Sequence, residues 1–412
     1  MGGRRSDRRA VSGITAVSRN ELLRRAVDKL EILRSIRRDI HKHPELGMQE
    51  KRTAVLIADH LRNLGIEVQT GVAGTGVVGL LRGGRRGRTV ALRADIDALP
   101  MQDLKSAPYA SETPGVAHSC GHDAHTTIQL GAAMLLSERK DALAGDVKFI
   151  FQPSEDTLPG GALPMIEAGV LDNPGVDAIF SLHMYPNFEQ GAAVVKSGAA
   201  STSSISFTLT IRGTGGHVGM PHKVLNPLLV AALVMTNTNS LMPKNLAPGE
   251  PLIFEFASIH GGTVGNIVPP EIVLKGSLRV SSPELLERMI QRFETLIRGV
   301  VEPAGGSYQL EMQKGYPTIM NDPQLVCLFE RAAAKVIGEQ RVIEYDKIMT
   351  GGDDAAFFQQ RIPGVYWWLG IANGAAGFDQ PLHSPHFDFD EEVLAVGAAV
   401  QTQAVIDFLE AN

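Results

Sequence analysis

The 412-residue chain predicts an α/β fold, a mostly parallel sheet covered by helices, interrupted by a smaller inserted α+β domain. Three observations carry that expectation. Short apolar runs alternate with helical stretches through the first half, as in a sheet buried on both faces. From Ile205 the pattern changes to strict apolar–polar alternation, the mark of a strand with one wet face. From Gly315 the earlier pattern returns. A chain of this length exceeds what one core supports. The expected boundaries are residues 18–198 and 315–412 for the two parts of the main domain, and 199–314 for the insert.

In chain order, Asn20 caps a helix whose apolar positions are Leu23, Val27, Leu30, Leu33, Ile36 and Ile40, ending before Pro44. A second helix covers residues 53–64, with Gly65 as its C-terminal glycine. Gly74-Thr75-Gly76-Val77-Val78-Gly79 satisfies the dinucleotide-binding pattern, but it runs into Leu80-Leu81 and the turn Arg82-Gly83-Gly84 instead of opening a helix. It reads as a hairpin, with Arg82, Arg85, Arg86 and Arg88 on a solvated loop. Strands are expected at 89–94, 147–151 and 178–182, with a helix at 124–137. Asp95, Asp97, Glu155, Asp156 and His183 each follow a strand, at the sheet edge where ligands bind in open α/β folds.

Residues 196–204 read as a linker. Ile205, Phe207, Leu209 and Ile211 then form a strand whose unpaired edge could receive another chain. A helix at 225–241 and strands at 252–259 and 271–280 follow. The next helix has Ser281 three residues before Glu284, Pro283 in its first turn and the stripe Leu286, Met289, Ile290, Phe293 and Ile297. A last strand spans 307–313. The order β-α-β-β-α-β makes the insert ferredoxin-like. Beyond it lie a helix at 323–337, with Cys327 in its stripe, and a strand at 365–370.

The net charge of −6 gives no reason to expect nucleic acid as a partner. Two distant cysteines cannot make a disulfide framework, so a reducing, cytoplasmic compartment is expected. Met1 to Arg9 is Gly- and Arg-rich with no apolar segment behind it, which reads as a disordered tail and not a signal peptide. No stretch approaches the roughly 18 apolar residues of a membrane span, so no membrane is expected.

The chemistry concentrates in His118-Ser119-Cys120-Gly121-His122-Asp123 and Phe151-Gln152-Pro153-Ser154-Glu155-Asp156, with His183 and His383 each following an apolar segment. Taken alone, Cys120 reads equally well as a buried inert thiol. Thiolate, imidazole and carboxylate together suit a borderline-soft divalent metal, and the set reads as a metallohydrolase. Neighbours on an extended segment point opposite ways, so one of Glu155 and Asp156 can bind metal while the other faces substrate. A metal acidifies a water that binds it, and a nearby carboxylate can take the proton.

These segments, with His41-Lys42-His43-Pro44-Glu45-Leu46, Leu92-Arg93-Ala94-Asp95-Ile96-Asp97-Ala98-Leu99-Pro100, Gly215-Gly216-His217, Pro221-His222, Asn266-Ile267-Val268-Pro269 and Leu382-His383-Ser384-Pro385, run in order beyond residue 30. In them the chain resembles the M20 metallopeptidase family, in particular its aminoacylase, hippurate hydrolase and auxin-conjugate amidohydrolase branch. The resemblance implies two divalent metal ions (Zn, Mn, Co or Ni) held by Cys120, His122, Asp156, His183 and His383. It implies Glu155 as general base and Asp97 as the residue orienting a histidine ligand. It implies that His217 polarises the scissile carbonyl, often from the partner subunit of a homodimer or higher homo-oligomer. Asn266 and Arg279 match contacts to the product carboxylate, a task suited to the guanidinium fork, and His222 and Gly352 join them as substrate-binding residues. The implied reaction is hydrolysis of an N-acyl amino acid to a carboxylic acid and a free amino acid. The alternative is a metallo-carboxypeptidase or dipeptidase acting on short peptides, and a third class is a non-catalytic ligand-binding relative. Two departures stand out. Asp156 occupies a position usually held by Glu, and Gly351-Gly352-Asp353-Asp354 looks closer to carboxypeptidase-like members.

Overall fold

A computed structural model describes residues 20–247 and 250–411. The Met1–Arg9 tail and the first two residues of the expected main domain lie outside the described residues. The chain forms two compact units: Met1–Gly198, Met320–Lys347 and Phe357–Asn412 make the first, and Ala199–Ile319 with Ile348–Ala356 make the second. Residues 315–319 and Ile348–Ala356 fall in the second unit, whereas the expected boundary at 315 assigns them to the main domain. In the latter segment the Met349 N–H donates to Ala200 O and the Met349 O accepts from Thr202, a single rung that leaves no periodic trace in sequence.

The first unit is built on an eight-stranded sheet in the order Glu67–Val72, Gly76–Leu81, Gly145–Gln152, Arg88–Asp95, Ala178–Glu189, Gly364–Ala372, Ala193–Val195 and Val342–Glu344. The central four are mutually parallel. Along these strands Val90, Leu92, Ala94, Phe149, Phe151, Phe180 and Leu182 enter a large core with the helices of that face. Ala91, Ile150 and Ile179 enter a smaller core with Met165, Val176 and Phe358. Both faces are therefore apolar, as continuous runs require.

Helices Glu21–Asp28, Leu30–Lys42, His122–Ser137, Pro323–Ile337 and Val393–Glu410 line the larger face. The first two were expected as one, but the chain breaks at Lys29 (φ −94°, ψ 0°) and the stripe continues across the break. Val393–Glu410 overturns the expectation of no long apolar stretch. By length and composition it could cross a membrane, yet 78% of it is buried here, because a helix packed on all sides must be apolar on all sides.

The hairpin turns at Ala73–Thr75, not at Arg82–Gly84, since Glu67–Val72 pairs with Gly76–Leu81. The arginines beyond it lie on a solvated loop, as expected: Arg82, Arg85 and Arg86 are exposed, with Arg82 pairing with Glu67 and Asp146 and Arg85 donating to Ala142 O. His183 lies inside its strand, which continues to Glu189. Cys327 is exposed instead of sharing the buried stripe of its helix.

The second unit is an antiparallel four-stranded sheet in the order Leu252–His260, Glu271–Val280, Ser203–Arg212, Ser307–Lys314. Numbered along the chain, that is 2-3-1-4, a ferredoxin-like arrangement. Ile205, Phe207, Leu209 and Ile211 pack against Leu274, Met289, Phe293 and Ile297, while the alternate side chains face outward. Strand Ser203–Arg212 is therefore interior, contrary to the expected free edge. The crossover through helix Pro227–Leu241 sets the second strand two places away and the third fills the gap, so the edges are Leu252–His260 and Ser307–Lys314. The expected linker is mostly structured, with Ser201, Thr202 and Ser203 buried. The cap of helix Pro283–Val301 is Ser282, whose Oγ accepts from Leu285 N at 3.1 Å, one residue later than Ser281.

Candidate metal centre

Gly121, at φ +89°, turns the chain into helix His122–Ser137, a conformation that glycine adopts without a Cβ penalty. Cys120 and His122 flank that turn. The His122 Nδ1 donates to Asp97 O (2.9 Å) and lies 3.2 Å from Asp97 Oδ1, leaving Nε2 buried without a hydrogen-bond partner. His183 donates from Nδ1 to Met184 O (2.7 Å), and its Nε2 lies 3.5 Å from Cys120 Sγ. His383 sits at φ +63°, unusual for a residue with a side chain, and is pinned by its N–H to Ser119 O at 2.8 Å. Its Nε2 lies 3.4 Å from Cys120 Sγ and 3.8 Å from Asp156 Oδ1.

The five side chains thus form two triads, Cys120/His122/His183 and Cys120/Asp156/His383, which share the sulfur. Within each, the ligand atoms lie within 4.8 Å of one another. Asp156 spans the gap despite its shorter side chain: Oδ2 is 3.9 Å from His122 Nε2, and Oδ2 has no hydrogen-bond partner. Its backbone N–H donates to Asp97 Oδ2 at 3.0 Å, so Asp97 holds both His122 and Asp156. Glu155 Oε2 lies 3.8 Å from His122 Nε2, on a side chain only 6% exposed.

The electrostatics favour a cation. Burial alone would lower the His122 pKa, but Asp95, Cys120 and Asp97 more than offset it and raise it well above the usual histidine range. Burial, and then the nearby Asp156, push the Cys120 thiol up, so a positive charge is needed to hold it as thiolate. Burial also raises Asp156, and burial with neighbouring His125 keeps His183 neutral. Imidazole nitrogen, sulfur and carboxylate oxygen converge, and two of the atoms are buried without a partner. That donor set fits divalent metal.

Behind the ligands lie residues that sequence reasoning did not assign. Asp123 accepts from Arg37 Nε and from His41 Nδ1, both at 2.7 Å, and His41 Nε2 lies 3.2 Å from Asp103. Glu50, fully buried, accepts from Ser154 N and Thr75 Oγ1. His41 stood inside a motif segment and could have been found from it. Glu50 carried no signal, because its partners are distant in sequence.

The second unit holds the remaining candidates. His217 and Asn266 come together, since Ile267 pairs with His217 and Val218 N donates to Asn266 O. His217 Nδ1 accepts from Gly219 N at 2.9 Å, which puts the ring proton of the neutral form on Nε2. His222 follows on the short turn Pro221–Lys223 and is exposed. Arg279 instead donates to Thr350 O at 2.6 Å, beside Gly352. Asn266 precedes Glu271 at one end of strand Glu271–Val280, whereas Arg279 is at the other end, about 26 Å along an extended chain. One copy of this unit does not bring Asn266 and Arg279 to the same small carboxylate.

Residues 91–407 match the Peptidase family M20/M25/M40. The chain belongs to that family. It is 34% identical over 376 residues to thermostable carboxypeptidase 1 of Saccharolobus solfataricus, covering 90% of this chain and 94% of that protein. It is also 34% identical over 377 residues to the N-acetylcysteine deacetylase of Bacillus subtilis, covering 91% and 96%. A crystal structure of a dinuclear metal binding M20 peptidase from Bacillus subtilis superposes with a TM-score of 0.82 at 30% identity, covering 94% of this chain and all of that one. Like its relatives, this M20 protein is a metal-dependent hydrolase of amide bonds.

Proposed function

We propose that this M20 hydrolase cleaves N-acyl amino acids into a carboxylic acid and a free amino acid, with two divalent ions per subunit. The observation that supports it most is the sharing of the Cys120 sulfur by two triads, with Glu155 beside them. Zn, Mn, Co or Ni ions, when bound, supply electrophilic polarisation of the carbonyl and acidify the attacking water. Cys120, His122, Asp156, His183 and His383 would hold them. Glu155 takes the proton of the attacking water at a carboxylate oxygen and returns it to the departing nitrogen. Asp97 accepts from the His122 Nδ1–H and so leaves the lone pair available on Nε2, the atom that would hold an ion. His217 of the partner subunit in a homodimer donates its Nε2–H to the carbonyl oxygen, the tautomer that the Gly219 N–H supports. Asn266, Arg279, His222 and Gly352 contact the substrate. The buried thiol suits a reducing, cytoplasmic setting.

A carboxypeptidase or dipeptidase activity is the second reading, because a carboxypeptidase and a deacetylase are equally similar to this chain. The test is a panel of N-acetyl and N-benzoyl amino acids and dipeptides, with protein reloaded with each metal. Preferential turnover of acyl amino acids supports the first reading, and preferential turnover of peptides supports the second. Glu155→Gln should keep its metal but lose about 10²–10⁴-fold in kcat. A variant retaining more than a tenth of the wild-type kcat removes Glu155 from the role of base.

A further inference from the structure

His125 lies one helical turn beyond the start of the helix that opens with His122, and it is buried. With Asp95 and His122 it could be read as a third ligand group. Its hydrogen bonds exclude that. The Met184 N–H donates to His125 Nε2 at 2.9 Å, so the lone pair of that nitrogen is occupied. The other nitrogen, Nδ1, then carries the proton and donates to Asp95 Oδ1 at 2.6 Å. Neither nitrogen is free for an ion. The other oxygen of Asp95 accepts from Arg93 Nη1 at 2.9 Å, and Arg93 Nε donates to Gln152 Oε1 at 2.9 Å.

Met184, whose N–H His125 holds, is held at its own carbonyl, in the next peptide, by His183, whose Nδ1 donates to Met184 O at 2.7 Å. The ladder between strands Arg88–Asp95 and Ala178–Glu189 stops at Arg93–Ser181, three residues before Met184. Past that point His125 stands in for the missing strand. Its ring also packs edge-on against that of His183, with centroids 4.6 Å apart.

We infer that His125 is a positioning residue for one metal ion only: the buried chain Arg93–Asp95–His125–Met184 backbone, N–H on one side and carbonyl on the other, fixes the tautomer and aim of His183 and so tunes the Cys120/His122/His183 triad. The Cys120/Asp156/His383 triad has no link to this chain through His183. The inference rests on the dinuclear reading above.

The test is metal titration of stripped protein with Zn²⁺, followed by calorimetry and by metal analysis after gel filtration. Wild type should bind two equivalents. If it binds none, the dinuclear reading fails before His125 is reached. His125→Leu, which removes the acceptor, should weaken one equivalent by about 10–100-fold and leave the other unchanged, the usual effect of losing an outer partner of a ligand. His125→Gln, which can still accept from Met184 N, should recover part of the loss. Asp95→Asn should weaken the same equivalent, and it carries the test if His125→Leu does not fold. In a His183→Ala background, His125→Leu should add no further loss, because the two changes act on one ligand. Wild-type affinity at both sites in the His125 and Asp95 variants would overturn the inference. So would equal weakening of both equivalents, or a full additional loss in the His183→Ala background.

Discussion

Cys120 belongs to both triads, with its sulfur 3.5 Å from His183 Nε2 and 3.4 Å from His383 Nε2. No other thiol can replace it, since Cys327 is exposed on a helix far along the chain. Cys120→Ala should therefore remove at least one metal equivalent per subunit, whereas Cys327→Ala should leave the content unchanged. Unaltered stoichiometry and affinity in Cys120→Ala would return that residue to the role of a core thiol. A second prediction concerns acid. Burial alone would raise the Asp103 carboxyl, but His41 and the N–H groups of Ser111 and Lys105 more than offset it and hold it far below the usual range. The unfolded chain then binds the proton first, so the contribution of Asp103 is complete above about pH 4 and shrinks as the pH falls further. Urea unfolding between pH 6 and 3 should show a shallower loss of stability in Asp103→Asn than in wild type. The candidate ligands were legible in sequence because Cys120, His122 and Asp156 fall in two short runs dense in His, Cys, Asp and Glu, His118–Asp123 and Phe151–Asp156. The residues behind them were not, because pairs such as Arg37 with Asp123, 86 residues apart, leave no local pattern.

Among elements, the turn after strand Gly145–Gln152 carries the proposed base and a ligand on consecutive residues. Ser154 adopts φ +53°, and its N–H donates to Glu50 Oε1 at 2.9 Å. Space is tight on the other side, where a Cβ on Gly47 would come within 2.6 Å of Ser154 Oγ. Glu50→Ala would leave the Ser154 N–H and the Thr75 hydroxyl without this acceptor and relax the left-handed turn. We expect a loss of about 2–4 kcal/mol in urea unfolding, the range for stranding buried donors of a charged group, together with a drop in kcat. A stable variant with unchanged kcat would mean that the turn holds itself. Periodicity located this strand and its acidic pair, yet it could not show the turn's conformation. A positive φ at a serine follows from what packs around it and not from the residue itself.

On the scale of the whole molecule, Asn266, beside His217, and Arg279, bonded to Thr350 O near Gly352, lie towards opposite ends of strand Glu271–Val280. If these residues contact one substrate as proposed, a second subunit must supply some of them, and complementation tests that. His217→Ala and Glu155→Gln, each inactive, should regain up to about a quarter of wild-type activity when mixed, since random pairing makes half the dimers hybrids with one intact site of two. Subunit exchange without recovered activity would place His217 in its own subunit's chemistry or in none. The two-unit architecture was readable because the apolar period switches at Ile205. Which strand lies at the edge was not, because a crossover connection and not the strand's own residues decides it.

Gly364 pairs with Ile179 across all of the intervening second unit, and helix Val393–Glu410 follows later still. During synthesis, the apolar faces of the first strands and helices therefore wait without their final partners until residues 364–410 have emerged. The ferredoxin-like unit meets no such delay over its six regular elements, all of which emerge before residue 320. Closing so long a loop also makes the last pairing slow. The interval in which a membrane-grade helix and an incomplete sheet are both uncovered is when this protein most needs a chaperone.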